Sequence, residues 1–328
     1  MSAPLPDFHL LRPRDVDAAV AARRTHAGSR YLAGGTDLLV NMRHGLAATA
    51  SLIDLSGIEE LNRVGATASG VRIGAGVTIA ALAADASMRR YPAVLQAAQA
   101  IAAPGHRTMG TVGGNLCLDT RCIYYNQSEW WRRANGFCLK HAGEICHVAP
   151  QAARCHAAFC GDLAPALMVS AAEVEIAGPD GRRKIALDRL YVEDGKAHLA
   201  LAPDELVVAV HLPARVPPSA YEKVRVREAI DFPLAGVAVA LAAAKGAVET
   251  LRVALTGTNS RPFLLQGTEA FAGKPLDAAA LAQLDKLVQK QVQPMRTTSV
   301  PAHYRRLAAA ALAQRLAARL FAEPGSAA

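Results

Sequence analysis

Six cysteines stand close together in one stretch of the chain, and their types and spacing could support metal chemistry. In a chain without a recognisable secretory leader, clustered thiols favour a tetrahedral metal or an iron–sulfur cluster over disulfides. Cys117 and Cys160 flank the stretch beside Asn115 and Asp162, so we expect both to belong to the surrounding fold. The inner four, separated by 15, 7 and 8 residues, are the predicted metal ligands: Cys122, Cys138, Cys146 and Cys155.

The spacing does not identify the metal. It is neither the C-x₂-C pair of zinc ribbons nor the compact run of bacterial ferredoxins. His141, His147 and His156 lie among the cysteines, so mixed Cys/His zinc ligation stays open, although six thiols already exceed the four ligands that are needed. We expect these histidines to be polar loop residues. The aromatic residues of the stretch are predicted to form a small core around the metal: Tyr124, Tyr125, Trp130, Trp131 and Phe137.

Two glycine pairs could bind a phosphate group. The first lies in Ala33-Gly34-Gly35-Thr36-Asp37, between a short predicted strand at 30–32 and a helix start at Leu38. The second lies in Thr111-Val112-Gly113-Gly114-Asn115, directly before the cysteine stretch. Adjacent glycines leave backbone N–H groups uncovered, which favours an anion such as a pyrophosphate, although either pair alone could be a tight turn.

Other nucleotide-binding patterns are excluded. Gly74-Ala75-Gly76 resembles the start of a Rossmann fingerprint, but Ile79 stands where the third glycine is required. The P-loop pattern does not occur in the chain. The glycine pairs therefore predict a nucleotide site of another kind.

Composition limits the class of protein. At 328 residues, with 52% hydrophobic and 20% charged residues, the chain is typical of a globular protein of two or three domains. Its apolar runs are too short to span a membrane. The net charge of +8 comes from scattered single or paired basic residues, which favours a solvated surface facing an acidic partner over a nucleic-acid site. We expect a cytoplasmic protein that binds neither membrane nor nucleic acid.

The hydrophobic pattern predicts the elements that would position these residues. Helices are expected near 14–27, 79–88 and 93–102, with strands at 52–55 and 70–78. The proline-rich segment 213–219 predicts a domain boundary. Beyond it, 221–226, 236–244 and 251–256 are strands or buried helices, and two amphipathic helices follow. The arginines of the last helix are predicted to face outward: Arg305, Arg306, Arg315 and Arg319.

With these residues in view, the chain resembles the FAD-binding subunit of the molybdenum hydroxylase (xanthine oxidase) family. The two glycine segments match its two flavin loops in order, and the segment from Asp162 to Leu167 resembles a further motif. The resemblance implies an α+β fold with an N-terminal FAD-binding domain of the vanillyl-alcohol-oxidase (PCMH) type, built of two subdomains, at 1–215. A smaller α/β domain similar to the CO dehydrogenase flavoprotein C-terminal domain is implied at 216–328.

The same resemblance implies which residues contact FAD. The glycine amides would reach the pyrophosphate and ribityl chain, and Asn115 and Asp162 would bond polar edges of the cofactor. Lys223 either brings a positive charge to the flavin or is a solvated strand-end lysine. The implied set is Leu32, Ala33, Gly34, Gly35, Thr36, Asp37, Leu38, Thr111, Val112, Gly113, Gly114, Asn115, Asp162 and Lys223.

One departure from the family pattern is informative. Asn115 and Asp162 are 47 positions apart, which places an inserted loop at about 118–160. This loop is similar to that of the beta subunit of 4-hydroxybenzoyl-CoA reductases, where it holds a [4Fe-4S] cluster. The similarity implies a molybdopterin-binding large subunit, a small subunit with [2Fe-2S] clusters, a dimer of heterotrimers and a ferredoxin-like donor. Electrons would enter through this chain and remove a phenolic hydroxyl on a partner subunit, so no substrate acid or base is predicted here.

Two alternatives stay open. The chain could be the flavin subunit of another family member that oxidises an aromatic compound, a purine or CO and passes electrons outward. It could also be a zinc-stapled binding module without a redox cofactor, in which the glycine pairs are turns. The inserted loop favours the reductase over the first alternative.

Overall fold

The computed structural model describes residues 4–323. Its strands, in chain order, are β1 (His9–Leu11), β2 (Arg30–Leu32), β3 (Ser51–Asp54), β4 (Val64–Thr67), β5 (Gly70–Gly74), β6 (Glu173–Gly178), β7 (Gly181–Ala186), β8 (Leu206–Pro213), β9 (Ser219–Val224), β10 (Ala235–Ala244), β11 (Ala247–Thr256) and β12 (Phe263–Leu264). Its α-helices are α1 (Val16–Thr25), α2 (Leu38–Arg43), α3 (Ile79–Ala84), α4 (Pro92–Ala100), α5 (Pro104–Arg107), α6 (Val112–Leu116), α7 (Glu129–Ala134), α8 (Leu163–Val169), α9 (Ala278–Gln291) and α10 (Ala302–Ala322).

The strands form three sheets in the described part of the chain. A small parallel sheet has the order β1-β3-β2, in which α1 connects the two outer strands β1 and β2, and α2 returns the chain from β2 to the central strand β3. An antiparallel sheet has the order β4-β5-β8-β6-β7. The third sheet, β12-β11-β10-β9, is also antiparallel, and its long β10–β11 hairpin contains a register shift between Ala242 and Ala243. The segments predicted as strands or buried helices beyond the proline-rich segment are therefore strands.

Helix α1 ties the first two sheets together. Asp15 caps its N-terminus, with the side chain accepting a 2.7 Å hydrogen bond from the Ala18 amide. Val16 and Ala19 are fully buried, in a cluster that includes Ile53 of the parallel sheet and Val208 of the antiparallel one. The parallel sheet is thereby held beside the larger one, which opens a space between them.

The third sheet alternates its faces. Val237, Val239 and Leu241 of β10 point to a core formed with α9 and α10. Ala238 and Ala240 point the other way, into the core that contains the fully buried helix α8. Small side chains on this second face let the sheet pack closely on α8. The N-terminal and C-terminal parts of the chain therefore share one hydrophobic core.

The predicted outward orientation of Arg305 is wrong. Its side chain is fully buried and donates hydrogen bonds to the backbone oxygens of Leu234 (3.0 Å), Met295 (2.9 Å) and Gly257. Helix α10 presents this guanidinium to a cluster of loop carbonyls, which compensate its desolvation. Helical periodicity could not reveal the arrangement because those carbonyls come from distant loops.

Within residues 4–323, no helix combines the length and apolar composition that crossing a membrane requires.

Candidate functional site

A cavity of about 930 Å³ lies where the two glycine segments meet. Its volume is at the upper end of the range usual for cofactor sites, so it has room for a dinucleotide. Cavity walls come from both glycine segments, from the base of the cysteine loop and from segment 230–232. The predicted FAD residues that line it are Ala33, Gly34, Gly35, Thr36, Asp37, Leu38, Thr111, Gly113, Gly114, Asn115 and Asp162. Leu32, Val112 and Lys223 are not in its wall.

The first glycine of each pair allows the backbone of the protein itself to approach closely. A Cβ on Gly34 would stand 1.8 Å from the carbonyl oxygen of Met109. A Cβ on Gly113 would stand 2.8 Å from the Cβ of Ala75. These two glycines therefore let the two glycine segments pack directly against neighbouring segments, which is a structural role in addition to the predicted exposure of amides.

The second glycine segment begins helix α6. The Thr111 hydroxyl accepts a 3.0 Å hydrogen bond from the Gly114 amide and caps the helix. A Cβ on Gly114 would meet only that hydroxyl, so space is left on its cavity side. Thr111 is therefore a helix cap, and its hydroxyl can still donate its own hydrogen to another acceptor.

Asn115 and Asp162 meet at the cavity although the cysteine loop separates them in sequence. The Asn115 side-chain oxygen accepts a 3.0 Å hydrogen bond from the Leu163 amide, the first residue of α8. Below them, Arg121 and Ala158 exchange two backbone hydrogen bonds of 2.7 and 2.8 Å. The loop therefore leaves and re-enters the fold at one point, beside the cavity.

Asp162 is the centre of a buried polar group. The Tyr221 hydroxyl donates a 2.7 Å hydrogen bond to its carboxylate, and the Lys223 ammonium lies 2.8 Å from the same oxygen. Only 3% of the Lys223 side chain and 5% of the Asp162 side chain are exposed. Burial raises the pKa of Asp162, and the charge of Lys223 opposes that rise. Lys223 is thus buried and does not line the cavity. Its connection to the cavity is indirect, through its ion pair with Asp162, which does line it.

Replacing Asp162 with Asn is expected to destabilise the protein by about 3–5 kcal/mol, because it leaves a buried ammonium without its counter-charge. Chemical denaturation of the two proteins measures the loss. The double variant Asp162→Asn/Lys223→Met removes both charges and is expected to recover part of the stability. If the double variant is no more stable than Asp162→Asn alone, the ion pair is not the cause of the loss.

Sequence reasoning missed several residues of the cavity wall. Arg121 forms an ion pair with Asp37 of the first glycine segment, and its guanidinium lies 4.7 Å from the centre of the Phe232 ring. This places a guanidinium held by two partners in the cavity wall. Arg121 stands in the cysteine loop, and no local motif marks it. Four further residues of the wall that were not predicted to line it are Asp119, Tyr125, Lys140 and Lys196.

The four predicted metal ligands are brought together. Each cysteine has at most 8% of its surface exposed, and all four line one small cavity: Cys122, Cys138, Cys146 and Cys155. The Cys155 sulfur accepts a 3.4 Å hydrogen bond from the Ala157 amide. Burial raises the pKa of Cys122 to about 11 and that of Cys155 to about 12. A bound metal would have to displace these thiol protons.

Of the loop's histidines, His147 also lines the small cavity, whereas His141, His156 and the remaining two cysteines lie outside it. His141 is in the wall of the large cavity, and the His147 ring hydrogen-bonds the backbone oxygen of Phe137. Cys117 lines the large cavity, and Cys160 is buried beneath it. Across residues 4–323, no three His, Cys, Asp or Glu side chains converge closely enough to hold a single metal ion.

The predicted aromatic core around the cysteines forms only in part. Tyr125 is buried in the same cluster as three of the cysteines. Trp130, on helix α7, is 77% exposed, so its predicted place in the core is wrong. Ser128 caps this short helix, which orients Arg132 inward and Trp130 outward. Local composition indicated an aromatic core but not the side of α7 that would face it.

Comparisons with known proteins identify the fold and the family. Residues 6–215 match the FAD binding domain in molybdopterin dehydrogenase, and residues 219–320 match the CO dehydrogenase flavoprotein C-terminal domain. These matches confirm the predicted fold class: an α+β FAD-binding domain followed by a smaller flavoprotein domain.

Individual relatives agree with the family matches. The chain is 36% identical over 274 residues to the FAD-binding subunit of an Escherichia coli aldehyde oxidoreductase, covering 77% of this chain and 82% of the relative. It is 30% identical to the carbon monoxide dehydrogenase medium chain of Afipia carboxidovorans, covering 95% and 96%. A solved CO dehydrogenase from Oligotropha carboxidovorans superposes with a TM-score of 0.79 at 26% identity, covering 98% and 100%. The chain therefore belongs to the FAD-binding medium subunits of the molybdenum hydroxylase and CO dehydrogenase family.

Proposed function

We propose that this chain binds FAD and a [4Fe-4S] cluster and relays electrons between an external redox partner and the other subunits of a molybdenum enzyme. The observation that carries the proposal is the pair of adjacent cavities. One is large and bordered by the two glycine segments, and the other is small and lined by Cys122, Cys138, Cys146 and Cys155.

The cysteine positions support a metal centre. Four buried thiols line one small cavity, and thiolates are ligands of both zinc and iron–sulfur clusters. The choice of a [4Fe-4S] cluster rests on the resemblance of the inserted loop. A backbone amide already donates to the Cys155 sulfur, as amides do around iron–sulfur clusters. The ligand set proposed is Cys122, Cys138, Cys146 and Cys155.

The large cavity supports FAD. Both glycine segments present backbone to it, and the Arg121–Asp37 pair places a cation in its wall. Bound FAD would supply a centre that exchanges electrons both in pairs and singly. The residues of this chain then act by binding and orientation: Asn115 holds α8 in place, and the buried Lys223 fixes the Asp162 carboxylate at the cavity edge.

The proposed partners follow from the family. Relatives are named medium chains or FAD-binding subunits, which supports assembly with a molybdopterin-binding large subunit and a [2Fe-2S] small subunit. We further propose a dimer of heterotrimers, a ferredoxin-like donor and a cytoplasmic location, where six unpaired cysteines are usual. The division into domains at 1–215 and 216–328 stays a prediction.

The proposed reaction of the assembled enzyme is reductive dehydroxylation of 4-hydroxybenzoyl-CoA to benzoyl-CoA. The support is the inserted cysteine loop, which resembles that of the corresponding beta subunit. Electrons would pass from the donor through the cluster and FAD to the partner clusters and the molybdenum centre.

A second candidate is the oxidation of an aldehyde, with electrons passing outward. The observation that favours it is the 36% identity to the aldehyde oxidoreductase subunit. The two candidates share the cofactors of this chain and differ in substrate and direction. The site in this chain is compatible with both because the substrate would bind on a partner subunit.

The cofactor content of anaerobically purified protein tests the proposal. We expect flavin bands over a broad iron–sulfur absorbance, with about four iron and four sulfide per chain for a cubane ligated by four cysteines. Flavin without iron would reject the cluster and leave an ordinary flavin subunit. Zinc without flavin would reject the redox function altogether.

Turnover by the assembled complex separates the two reactions. Formation of benzoyl-CoA from 4-hydroxybenzoyl-CoA with a reduced ferredoxin-like donor would support the reductase. Reduction of an acceptor by aromatic or aliphatic aldehydes, without benzoyl-CoA formation, would support the second candidate.

A further inference from the structure

Two residues belong to the walls of both cavities. Lys140 and Tyr125 line the large glycine-bordered cavity and also the small cysteine-lined one. The Lys140 ammonium lies 4.5 Å from the centre of the Tyr125 ring, so the two side chains form a cation–π pair. This pair is a partition between the two proposed cofactor sites.

The ammonium of Lys140 is fixed in the partition. Only 5% of its side chain is exposed. It donates a 2.7 Å hydrogen bond to the Asp119 carboxylate and a 3.0 Å hydrogen bond to the Thr120 backbone oxygen, and it also bonds the Thr120 hydroxyl. All of its donors therefore have partners, and a buried cation is stable there.

The two charged residues of the Lys140–Asp119 ion pair are placed differently relative to the two cavities. Asp119 lines the large cavity but not the cysteine cavity, whereas Lys140 lines both. Of the two charged residues, only the positive one, Lys140, therefore borders the cysteine cavity. A four-cysteine cluster is anionic and becomes more so when it accepts an electron. A cation fixed on that side in a dry environment stabilises the reduced form.

We propose that Lys140 is a positioning residue that tunes electron transfer between the two cofactors: its buried ammonium raises the reduction potential of the cluster relative to that of the flavin. The inference rests on the proposed function, since it requires both cofactors to be bound. The role of Lys140 is electrostatic, and it contributes no ligand to the cluster.

The test is an anaerobic redox titration of the full chain, with the cluster followed by electron paramagnetic resonance and the flavin by absorbance. Replacing Lys140 with Met is expected to lower the ratio of reduced to oxidised cluster at a fixed potential by about tenfold, which is about 59 mV for a one-electron couple. The flavin potential is expected to shift less.

Three further variants distinguish the effect of the Lys140 charge on the cluster potential from the effect of its packing. Lys140→Arg keeps the charge and is expected to restore most of the potential. Lys140→Met/Asp119→Asn removes both charges and is expected to give a smaller shift than Lys140→Met alone, because no carboxylate is left unpaired. Lys196→Met is the matched control: Lys196 is exposed and lines only the large cavity, so the cluster potential should not change.

The outcomes are distinguishable. Absence of iron from the unmodified protein overturns the proposed function and this inference with it. An iron-replete Lys140→Met protein with an unchanged cluster potential overturns the inference alone. Loss of iron from every Lys140 variant, Lys140→Arg included, also overturns it, because Lys140 would then hold the loop without tuning the cluster.

Discussion

Replacing Cys138 with serine is expected to remove most of the iron from the purified protein while leaving its flavin bound. Cys138 lines the cysteine cavity together with the other three proposed ligands, and it is 8% exposed. A cubane that loses one thiolate loses a corner ligand and is released or degraded. The large cavity is bordered by the glycine segments and not by Cys138, so FAD should stay bound. Iron, sulfide and flavin assays on one sample measure both effects.

The loop itself should also loosen in this variant. The stretch between Arg121 and Ala158 contains a single short helix, α7, so a metal centre would supply most of its order. Limited proteolysis is expected to cut the loop of Cys138→Ser faster than that of the unmodified protein.

The matched control is Cys160→Ser. Cys160 is also buried, but it lies outside the cysteine cavity. Its substitution should leave the iron content within error of the unmodified protein. If Cys160→Ser loses iron and Cys138→Ser keeps it, the proposed ligand set is wrong.

Replacing Gly34 with Ala is expected to abolish flavin binding and to destabilise the protein by about 3 kcal/mol or more. The added Cβ would stand 1.8 Å from the Met109 carbonyl oxygen, which is backbone and cannot rotate away. The first glycine segment would have to separate from residues 109–110, and this separation would open the wall of the large cavity. Chemical denaturation and the flavin-to-protein ratio test the two parts of the expectation.

Gly57→Ala is the control for this substitution. No atom lies within 4 Å of a Cβ built on Gly57, so the change should stay within about 0.5 kcal/mol and leave flavin binding intact. A Gly34→Ala protein that retains full flavin occupancy would show that the close packing of this loop is not needed for the cofactor.

The sequence by itself predicted the family, which the comparisons confirm, and the two glycine segments that border the large cavity. The two glycine segments and the Asp162 motif are local patterns that can be read from a few adjacent residues. In the glycine segments, glycine is required because neighbouring atoms approach too closely for a Cβ. Four of the cysteines were likewise predicted to lie together, and all four line one small cavity. The hydrophobic pattern of short segments also predicted the strand, loop and helix around Gly34. It likewise predicted the two helices of the C-terminal part.

Only the tertiary structure decided which long-range partners the charged and aromatic residues have. Arg305 was predicted to face solvent from its place on an amphipathic helix, yet loop carbonyls far away in sequence bury and bond it. The same is true of Lys223, which meets Asp162 across the two parts of the chain, and of Trp130, which helix α7 turns outward.

The partition formed by Lys140 and Tyr125 is a further case. Neither residue belongs to a motif, and each gains its place because the cysteine loop folds back beside the large cavity. The free energy of burying a charge depends on all the groups that surround it in three dimensions. Local sequence specifies the backbone of a site, and the packed fold specifies the electrostatics.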